Sequence, residues 1–365
     1  MPITLDDLRR HALRRTLFNP TTLGRAIAKL GFVQADPIRS PARAQDLTLR
    51  HRVKDYRAGD LERRYARLGI EEDFFVNYGF VSRELHTLMH PRTPRTAWSK
   101  ARWKQAQAVL EFVRERGVVH PREVDAHFAH GKTTNWFGGS SNATTQLLDG
   151  MHYRGLVRVA RREGGVRLYA AREQTPAPTD PRVAHDALID VVVEKYAPLP
   201  AASLGQLVSL LCGGGAPQWR GERAAALSRA KARLAKEHIA GVDWYWPADE
   251  RIPRRRGEAD DVVRLLAPFD PLVWDRRRFE LFWGWAYRFE AYTPAPKRKL
   301  GYYALPLLWR DQVIGWGNVS ANGGQRLKAE FGYVAGAAPR DAAFRAALAD
   351  EVERLRGFLG LAQAD

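Results

Sequence analysis

The sequence has 365 residues and a formal net charge of +17, and 45% of its residues are hydrophobic. A chain of this length exceeds one ordinary core, so we expect two to four folding units, and its hydrophobic content excludes a disordered tail. The excess of Lys and Arg favours a polyanionic partner, first of all nucleic acid, because basic side chains displace the counterions condensed on phosphates. An anionic membrane surface fits less well, since the sequence lacks a long apolar run and a lysine-rich amphipathic helix.

Cysteine usage and the N-terminus narrow the class of protein further. Cys212 is the single cysteine, which excludes an intramolecular disulfide and a zinc site with two thiolate ligands. The opening stretch MPITLDDLRRHALRR lacks the apolar segment of a secretory signal. We therefore predict a cytoplasmic, nucleoid-associated protein that does not bind membranes. Because no long heptad segment is present, we expect a monomer.

The first predicted unit covers residues 1–95 and begins with two helices. Thr4 is placed as the N-cap of the first helix, and the threonine pair at positions 21–22 opens the second, which Gly31 ends. The charged segment 58–68 is predicted to be a further short helix. The two prolines of HPRTPRT then indicate a linker.

The second predicted unit covers residues 96–178 and contains three helices and a hairpin. The second helix, 121–128, has proline at its first position, and Ser141 or Asn142 caps the third. The stretch LVRVARREGGVRLYAA alternates as a hairpin that bends at its adjacent glycines. This order is that of a winged helix, whose third helix lies in the major groove and whose wing follows the DNA backbone.

The third predicted unit, residues 179–250, repeats the same order of elements. Helices are predicted at 185–196, 203–211 and 223–238, and GVDWYWPAD is interpreted as a truncated wing. No residue-level repeat relates this unit to the one before it, so the repetition is one of element order alone.

The last predicted unit, residues 260–365, follows the polar linker RIPRRRGEADD. Its aromatic segments FELFWGWAYRFEAY and GYYALPLLW favour a β-rich module, and residues 341–359 are predicted to form an amphipathic terminal helix. The predicted fold class is therefore α+β, mainly α, with tandem winged-helix domains and a C-terminal β-rich domain.

Two histidines have the spacing of zinc ligands on a helix. His86 and His90 lie four positions apart, but the Glu of the HExxH motif is absent and the sequence shows no obvious third ligand. Ordinary helix-face histidines are the favoured interpretation, and we predict neither a metal nor a cofactor. The glycine run 213–215 lacks the Lys-Ser/Thr of a phosphate-binding loop and is interpreted as a flexible connection.

The stretch GFVQADPIRSPARAQDLTLRHRV holds the pair of polar residues best suited to chemistry. Pro37 favours an extended residue before it, so Gln34 and Asp36 project to the same side with Cα atoms about 6 to 7 Å apart. Both head groups can then reach one water or one sugar carbon. The alternative is that Asp36 accepts hydrogen bonds from the backbone or from Arg39, and residue statistics alone favour that alternative.

Basic residues follow this pair and recur in two later segments. We predict that they contact DNA phosphates, which position a protein on the duplex without selecting its sequence. The predicted DNA-binding residues are Arg39, Arg43, Arg50, His51, Arg52, Arg158, Arg161, Arg167, Arg276, Arg277, Arg278, Lys297 and Arg298.

Three features together resemble the AlkZ/YcaQ winged-helix DNA glycosylases. They are the tandem winged-helix order, QAD with the basic tract RSPARAQDLTLRHR after it, and the long block FDPLVWDRRR…YRFEAYTPAPKR…GYYALP. The resemblance implies three winged helices and a β-domain around a basic DNA channel, excision of N7-alkylated purines and, in some members, unhooking of interstrand crosslinks. The family motif Gln-apolar-Gln or Gln-apolar-Asp maps onto Gln34 and Asp36. One departure is FFVNYGF, with Asn77 and Tyr78, where related sequences often carry an aromatic-Trp-x-His segment.

The chemistry of such a reaction suits this pair. An N7-alkylated guanine is already cationic, so the departing base needs little help from an acid, and the tasks left are to stabilise an oxocarbenium-like sugar and to aim a water. Asp36 can do both, by its charge and as a proton acceptor, while Gln34 holds the water. No activated lysine is needed, so we expect an abasic site without strand cleavage.

The rival hypothesis is a non-catalytic winged-helix protein, either a transcription regulator or an architectural DNA binder. It explains the charge, the helices and the hairpins equally well. It does not explain, however, why Gln34 and Asp36 project to the same face. We therefore favour a monofunctional glycosylase acting on double-stranded DNA.

Overall fold

The structure is a computed structural model that describes residues 2–94, 96–134, 139–173, 180–253, 260–322 and 326–361. Within these ranges the protein is α+β, as predicted, with more helix than strand. The chain forms two compact units. Unit I comprises Met1–Leu61, Val191–Gln206 and Ala230–Asp365, and unit II comprises Glu62–Asp190 and Leu207–Arg229. The finer four-domain division stays a prediction.

Unit I begins with the two predicted helices, α1 (Leu5–Thr16) and α2 (Leu23–Leu30). The Thr4 side chain accepts a hydrogen bond from the backbone of Asp7, whose carboxylate accepts one from Thr4 N in return, so α1 starts with a capping box. Gly31 ends α2 with φ 63°, and a Cβ there would lie 2.5 Å from Val191 Cγ1. Glycine is therefore required on two grounds, backbone conformation and space.

Helix α2 leads directly into the segment that carries Gln34 and Asp36. The following elements are strand β1 (Phe32–Gln34), whose two apolar residues are buried, and helix α3 (Ala44–Leu49), which is buried throughout. The predicted charged helix is present as the short α4 (Asp60–Arg64) and a 3-10 turn, Tyr65–Arg67.

Unit II contains the predicted run of three helices and a basic hairpin. Before that run lie strands β2 (Ile70–Phe74) and β3 (Tyr78–Ser82), which pair antiparallel, and helix α5 (Arg83–Leu88). The run itself consists of α6 (Lys100–Arg116), β4 (Val118–Val119), α7 (Pro121–Phe128), β5 (Lys132–Thr134), β6 (Ser140–Asn142), α8 (Ala143–Tyr153), β7 (Val157–Glu163) and β8 (Val166–Ala171). Pro121 is in the first turn of α7 and Asn142 caps α8, as predicted, and β4, β8 and β7 form one sheet. Part of the predicted turn NWFGGSSN lies outside the described residues.

The third run of helices differs from the prediction at its end. It consists of α9 (Pro181–Tyr196), β9 (Leu199–Pro200), α10 (Ala201–Leu210), α11 (Arg223–Arg233), β10 (Leu234–Ile239) and β11 (Val242–Pro247). The predicted helix 223–238 is wrong beyond Arg233, because Leu234–Ile239 pairs antiparallel with the aromatic strand β11. Strand pairing with Trp244, Tyr245 and Trp246 outweighs local helix propensity. The segment interpreted as a truncated wing is thus one strand of a full antiparallel hairpin.

The C-terminal part of unit I is built on a four-stranded antiparallel sheet. Its elements are β12 (Val263–Leu265), α12 (Pro271–Trp274), α13 (Arg276–Trp283), β13 (Leu305–Trp309), β14 (Gln312–Asn322), β15 (Arg326–Tyr333) and α14 (Ala342–Leu359), with strand order β12-β13-β14-β15. The terminal helix and the strand in GYYALPLLW were predicted correctly. The predicted strand in FELFW was wrong, because Asp275 caps a helix there and Gly284, with φ 66°, ends it.

Most of the polar linker predicted at 251–261 lies outside the described residues. Among the helices that are described, none combines the length and apolarity needed to cross a bilayer.

Candidate active site

Gln34 and Asp36 lie where strand β1 ends and the chain turns toward helix α3. Gln34 is half-buried, whereas Asp36 is 9% exposed. Asp36 Oδ1 accepts a hydrogen bond of 2.9 Å from Ile38 N, and Asp36 N donates to Gln45 Oε1 at 3.4 Å. The backbone contact foreseen by the alternative interpretation is therefore present, but it engages only one carboxylate oxygen. Among the described residues, the hydrogen bond found for the carboxylate is the one to Oδ1, and this bond fixes the direction of the carboxylate.

The electrostatics of Asp36 favour proton acceptance. Burial raises the pKa of this carboxyl, against the smaller lowering effect of the Ile38 hydrogen bond. A higher pKa makes the ionised carboxylate a stronger base. Asp36 also raises the pKa of Tyr292 and Tyr303, after the larger effect of burial on each, so these two rings lie within its electrostatic reach.

A buried lysine supports the strand that carries Gln34, and sequence reasoning missed it. The Lys195 ammonium on α9 donates to the carbonyl of Phe32 and lies 4.9 Å from the centroid of the Phe32 ring. Burial lowers the pKa of Lys195 to about 7. In the sequence it is one more basic residue near a helix end, and nothing marks it as interior.

Three predicted DNA contacts in the tract after Asp36 are bonded within the protein. Arg50 donates to Glu351, and His51 Nε2 donates to Leu265 O at 2.9 Å. Arg52 is fully buried and donates to both carboxylate oxygens of Asp270, at 2.8 and 3.0 Å. A fully buried guanidinium offers no surface to a phosphate. The prediction that Arg52 contacts DNA is therefore wrong, and Arg52 is a structural residue.

The three consecutive arginines of α13 point in different directions. Arg277 is exposed, and Arg276 is half-buried with its guanidinium over the ring of Tyr287 at 4.5 Å. Arg278 is 1% exposed and donates to the backbone carbonyls of Tyr196 and Pro271. Arg278 is therefore also corrected from a DNA contact to a structural residue, for the same reason as Arg52.

The arginines of the hairpin β7–β8 are partly engaged with acidic residues of unit II. Arg158 contacts both carboxylate oxygens of Glu71, at 2.7 to 3.1 Å. Arg167 pairs with Asp149 at 3.0 Å, and the exposed Arg161 pairs with Glu163 at 2.9 Å. Pairs at the surface contribute little to stability and exchange readily, so Arg161 remains available to a phosphate.

The remaining predicted contacts lie at the surface. Arg39 and Lys297 are exposed, and Arg43 and Arg298 are half-buried. With Arg277 and Arg161 they form the set of basic residues whose position agrees with the prediction of phosphate contacts. That role stays a prediction.

Two comparisons bear on the identity of this chain. A family model described as "DNA glycosylase AlkZ-like" matches residues 27–358. The chain belongs to the AlkZ-like DNA glycosylase family. A solved structure, DNA glycosylase AlkZ of Streptomyces sahachiroi, superimposes with a TM-score of 0.62 and 13% sequence identity, covering 100% of this chain and 98% of that one. The likeness to AlkZ extends over the whole fold, and family membership supports a hydrolase that acts on DNA.

The AlkZ-like resemblance also marked a departure at FFVNYGF, which forms the turn between β2 and β3. Phe75 N donates to Asn77 O at 2.8 Å, and the rings of Phe74 and Tyr78 lie 5.1 Å apart. Tyr78 accepts a hydrogen bond of 3.1 Å from Arg167. This segment is thus held by local packing and by the hairpin arginine.

The histidine pair of this AlkZ-like chain has a third partner that the sequence did not reveal. His86 Nε2 and His90 Nε2 both donate to Asp73 Oδ2, at 2.8 and 3.1 Å, and the ligand atoms of the three buried residues lie within 4.8 Å of one another. Arg92 donates to Asp73 Oδ1 at 3.0 Å. A divalent ion here would add charge beside a buried guanidinium, which is costly. We therefore assign the cluster a structural role.

Proposed function

We propose that this protein is a monofunctional DNA glycosylase that hydrolyses the N-glycosidic bond of N7-alkylated purines. The observation that carries the proposal is the turn at Asp36, which orients a buried carboxylate of raised pKa two residues from Gln34. Family membership supplies the reaction class.

The proposed mechanism assigns one task to each residue. Asp36 stabilises the positive charge that develops on the sugar and accepts the proton of the attacking water. Gln34 holds that water by its amide group. Lys195 is directed at the Phe32 carbonyl, and no covalent step is assigned to it. The product is an abasic site with both strands intact.

The proposed substrate is double-stranded DNA held by winged-helix elements. The helix-helix-helix-hairpin order in unit II and the exposed Arg161 of β7 support such a docking. We include interstrand crosslinks through purine N7 as a second substrate, because the same bond joins the modified base to the sugar on each strand.

The experiment uses purified protein and two labelled duplexes, one with a single N7-methylguanine and one with a nitrogen-mustard crosslink. Alkali treatment cleaves abasic sites, so a glycosylase yields a cut strand only after alkali. Cleavage before alkali would replace the monofunctional mechanism by a lyase. Tight binding of both duplexes without product would favour the non-catalytic DNA-binding protein.

A further inference from the structure

One aromatic side chain within electrostatic range of Asp36 is displayed at the protein surface. Tyr292 is 79% exposed, the highest value among the large apolar side chains of the described residues. A single exposed aromatic ring is common at a protein surface, so its meaning depends on the groups around it. Tyr292 belongs to residues 290–300, the stretch EAYTPAPKRKL, which we call the tyrosine loop.

The tyrosine loop is closed by hydrogen bonds at its base. Glu290 Oε2 accepts hydrogen bonds from Lys299 N at 2.8 Å and from Leu300 N at 2.7 Å, and the Glu290 backbone carbonyl accepts one from Thr293 N at 2.9 Å. Arg298 Nε donates across the loop to Thr293 O at 2.7 Å. The ring is thus displayed on an ordered support, which lowers the entropic cost of using it in binding.

The ring packs toward the candidate active site through an aromatic chain. Phe289 lies 6.1 Å from Tyr292 and 5.1 Å from Tyr303, measured between ring centroids. Tyr303 is 2% exposed, and its hydroxyl has no hydrogen-bond partner among the described residues. Asp36 raises the pKa of both tyrosines, after the larger effect of burial, so its carboxylate lies within electrostatic range of both rings.

The loop is also basic at the surface. Lys297 and Lys299 are exposed, and Arg298 lies over the ring of Tyr302 at 5.0 Å. An exposed aromatic ring flanked by cations is typical of surfaces that bind unpaired nucleotides, since the ring stacks on an accessible base face while the cations meet phosphates.

We propose that Tyr292 stacks on a nucleobase next to the sugar at which Asp36 directs the attacking water, with Lys297 and Lys299 on the adjoining phosphates. This inference rests on the proposed function, because it places DNA at Asp36. The tyrosine loop then holds the damaged nucleotide against the carboxylate, and Tyr292 is a substrate-contacting residue beyond the Gln34–Asp36 pair.

The test compares Tyr292→Ala, Tyr292→Leu and Tyr292→Phe with the wild type. The single-turnover rate of N7-methylguanine excision is expected to fall about 5- to 100-fold in the Ala and Leu variants, because each loses one base-stacking contact. In the Phe variant, which keeps the ring, the rate is expected to stay within about 2-fold of the wild type. Tyr333→Leu removes a half-buried tyrosine of β15 and serves as the matched control, with wild-type rate expected.

A second measurement does not depend on catalysis. A duplex with 2-aminopurine beside a non-hydrolysable abasic analogue reports restacking when the protein binds. We expect the emission change with the wild type and with Tyr292→Phe, and we expect the Ala and Leu variants to lose it. Melting temperatures of these variants show whether they fold. An emission change in all variants, or in none including the wild type, overturns the inference. If the wild type shows the change but excises nothing, the proposed function fails and the stacking contact stands.

Discussion

At the scale of single residues, the candidate site contains two buried ionisable groups, the carboxylate of Asp36 and the ammonium of Lys195. Asp36 keeps a carboxylate near the surface of a basic protein, with one oxygen held by Ile38 N. Lys195 is placed in the interior, where it donates to Phe32 O and orients the strand that carries Gln34. Both arrangements place an ionisable group where solvent does not stabilise its charge, which is common at functional sites.

The lowered pKa of Lys195 predicts a pH dependence of stability. Below pH 7 the lysine is protonated in both the folded and the unfolded chain, so it adds no slope. Between about pH 7 and its unfolded value near 10.4, only the unfolded chain binds the proton, so the free energy of unfolding rises with pH by up to about 1.4 kcal/mol per unit. Urea unfolding of wild type and Lys195→Met at pH 7, 8 and 9 measures this slope.

The Lys195→Met variant is expected to lose that slope, because Met has no proton to bind. The exposed Lys299→Met is the control and keeps the wild-type slope. Parallel pH profiles for all three proteins would show that Lys195 is not a titrating interior group.

At the scale of elements, unit II is held together around Asp73 at the end of β2. Its carboxylate accepts hydrogen bonds from His86 and His90, on and just after α5, and from Arg92. Arg92 in turn donates to the carbonyls of Phe74, Tyr153 and Gly215. Directly and through Arg92, this buried carboxylate thus ties strand β2 and helix α5 to the end of α8 and to Gly215 of the same unit.

Asp73→Asn is expected to lower the free energy of unfolding by about 3 to 5 kcal/mol, because it leaves the Arg92 charge buried without a counterion. Asp149→Asn makes the same chemical change at a surface pair with Arg167 and is expected to cost less than about 1 kcal/mol. Urea unfolding measures both. Equal small losses would show that the Asp73 cluster is not a structural tie.

The sequence predicted elements well where local signals decide them and less well where pairing decides them. Capping residues, a proline at the first helical position and glycine stops predict α1, α2, α7 and α8 from local sequence alone. The end of α11 was wrong because the strand β10 forms only against β11, a tertiary contact. The third partner of His86 and His90 was missed because Asp73 lies in a different element, and no spacing rule connects them.

At the scale of the whole molecule, the net charge of +17 overstates the cations available to DNA. Arg50, Arg52, Arg158 and Arg278 were all predicted phosphate contacts, and each donates to acidic side chains or carbonyls of its own unit. Composition predicts the class of partner, but it does not distinguish a surface arginine from an internal one. Burial distinguishes the interior Arg52 and Arg278 from the exposed Arg161 and Arg277.

The salt dependence of duplex binding is expected to separate two neighbouring arginines of α13. Arg277→Ala removes an exposed cation and is predicted to reduce the slope of log K against log salt by about 0.9, the value for one phosphate contact. Arg278→Lys loses its two carbonyl partners in the interior, so it is predicted to lower stability and leave the slope unchanged. Fluorescence anisotropy at several salt concentrations measures the slopes, and the reverse pattern would refute the assignment by burial.

The central claim is that Asp36 acts in the reaction and is more than a turn residue. The most direct measurement is the single-turnover excision rate of N7-methylguanine together with duplex affinity, for wild type, Asp36→Asn and the control Asp55→Asn. Asp55 is exposed and has φ 51°, a backbone conformation that Asn tolerates. We predict a rate loss of about 100- to 10,000-fold for Asp36→Asn with affinity within a few-fold of wild type, and no loss for Asp55→Asn. Parallel loss of affinity and rate in Asp36→Asn, or an unchanged rate, would contradict the claim.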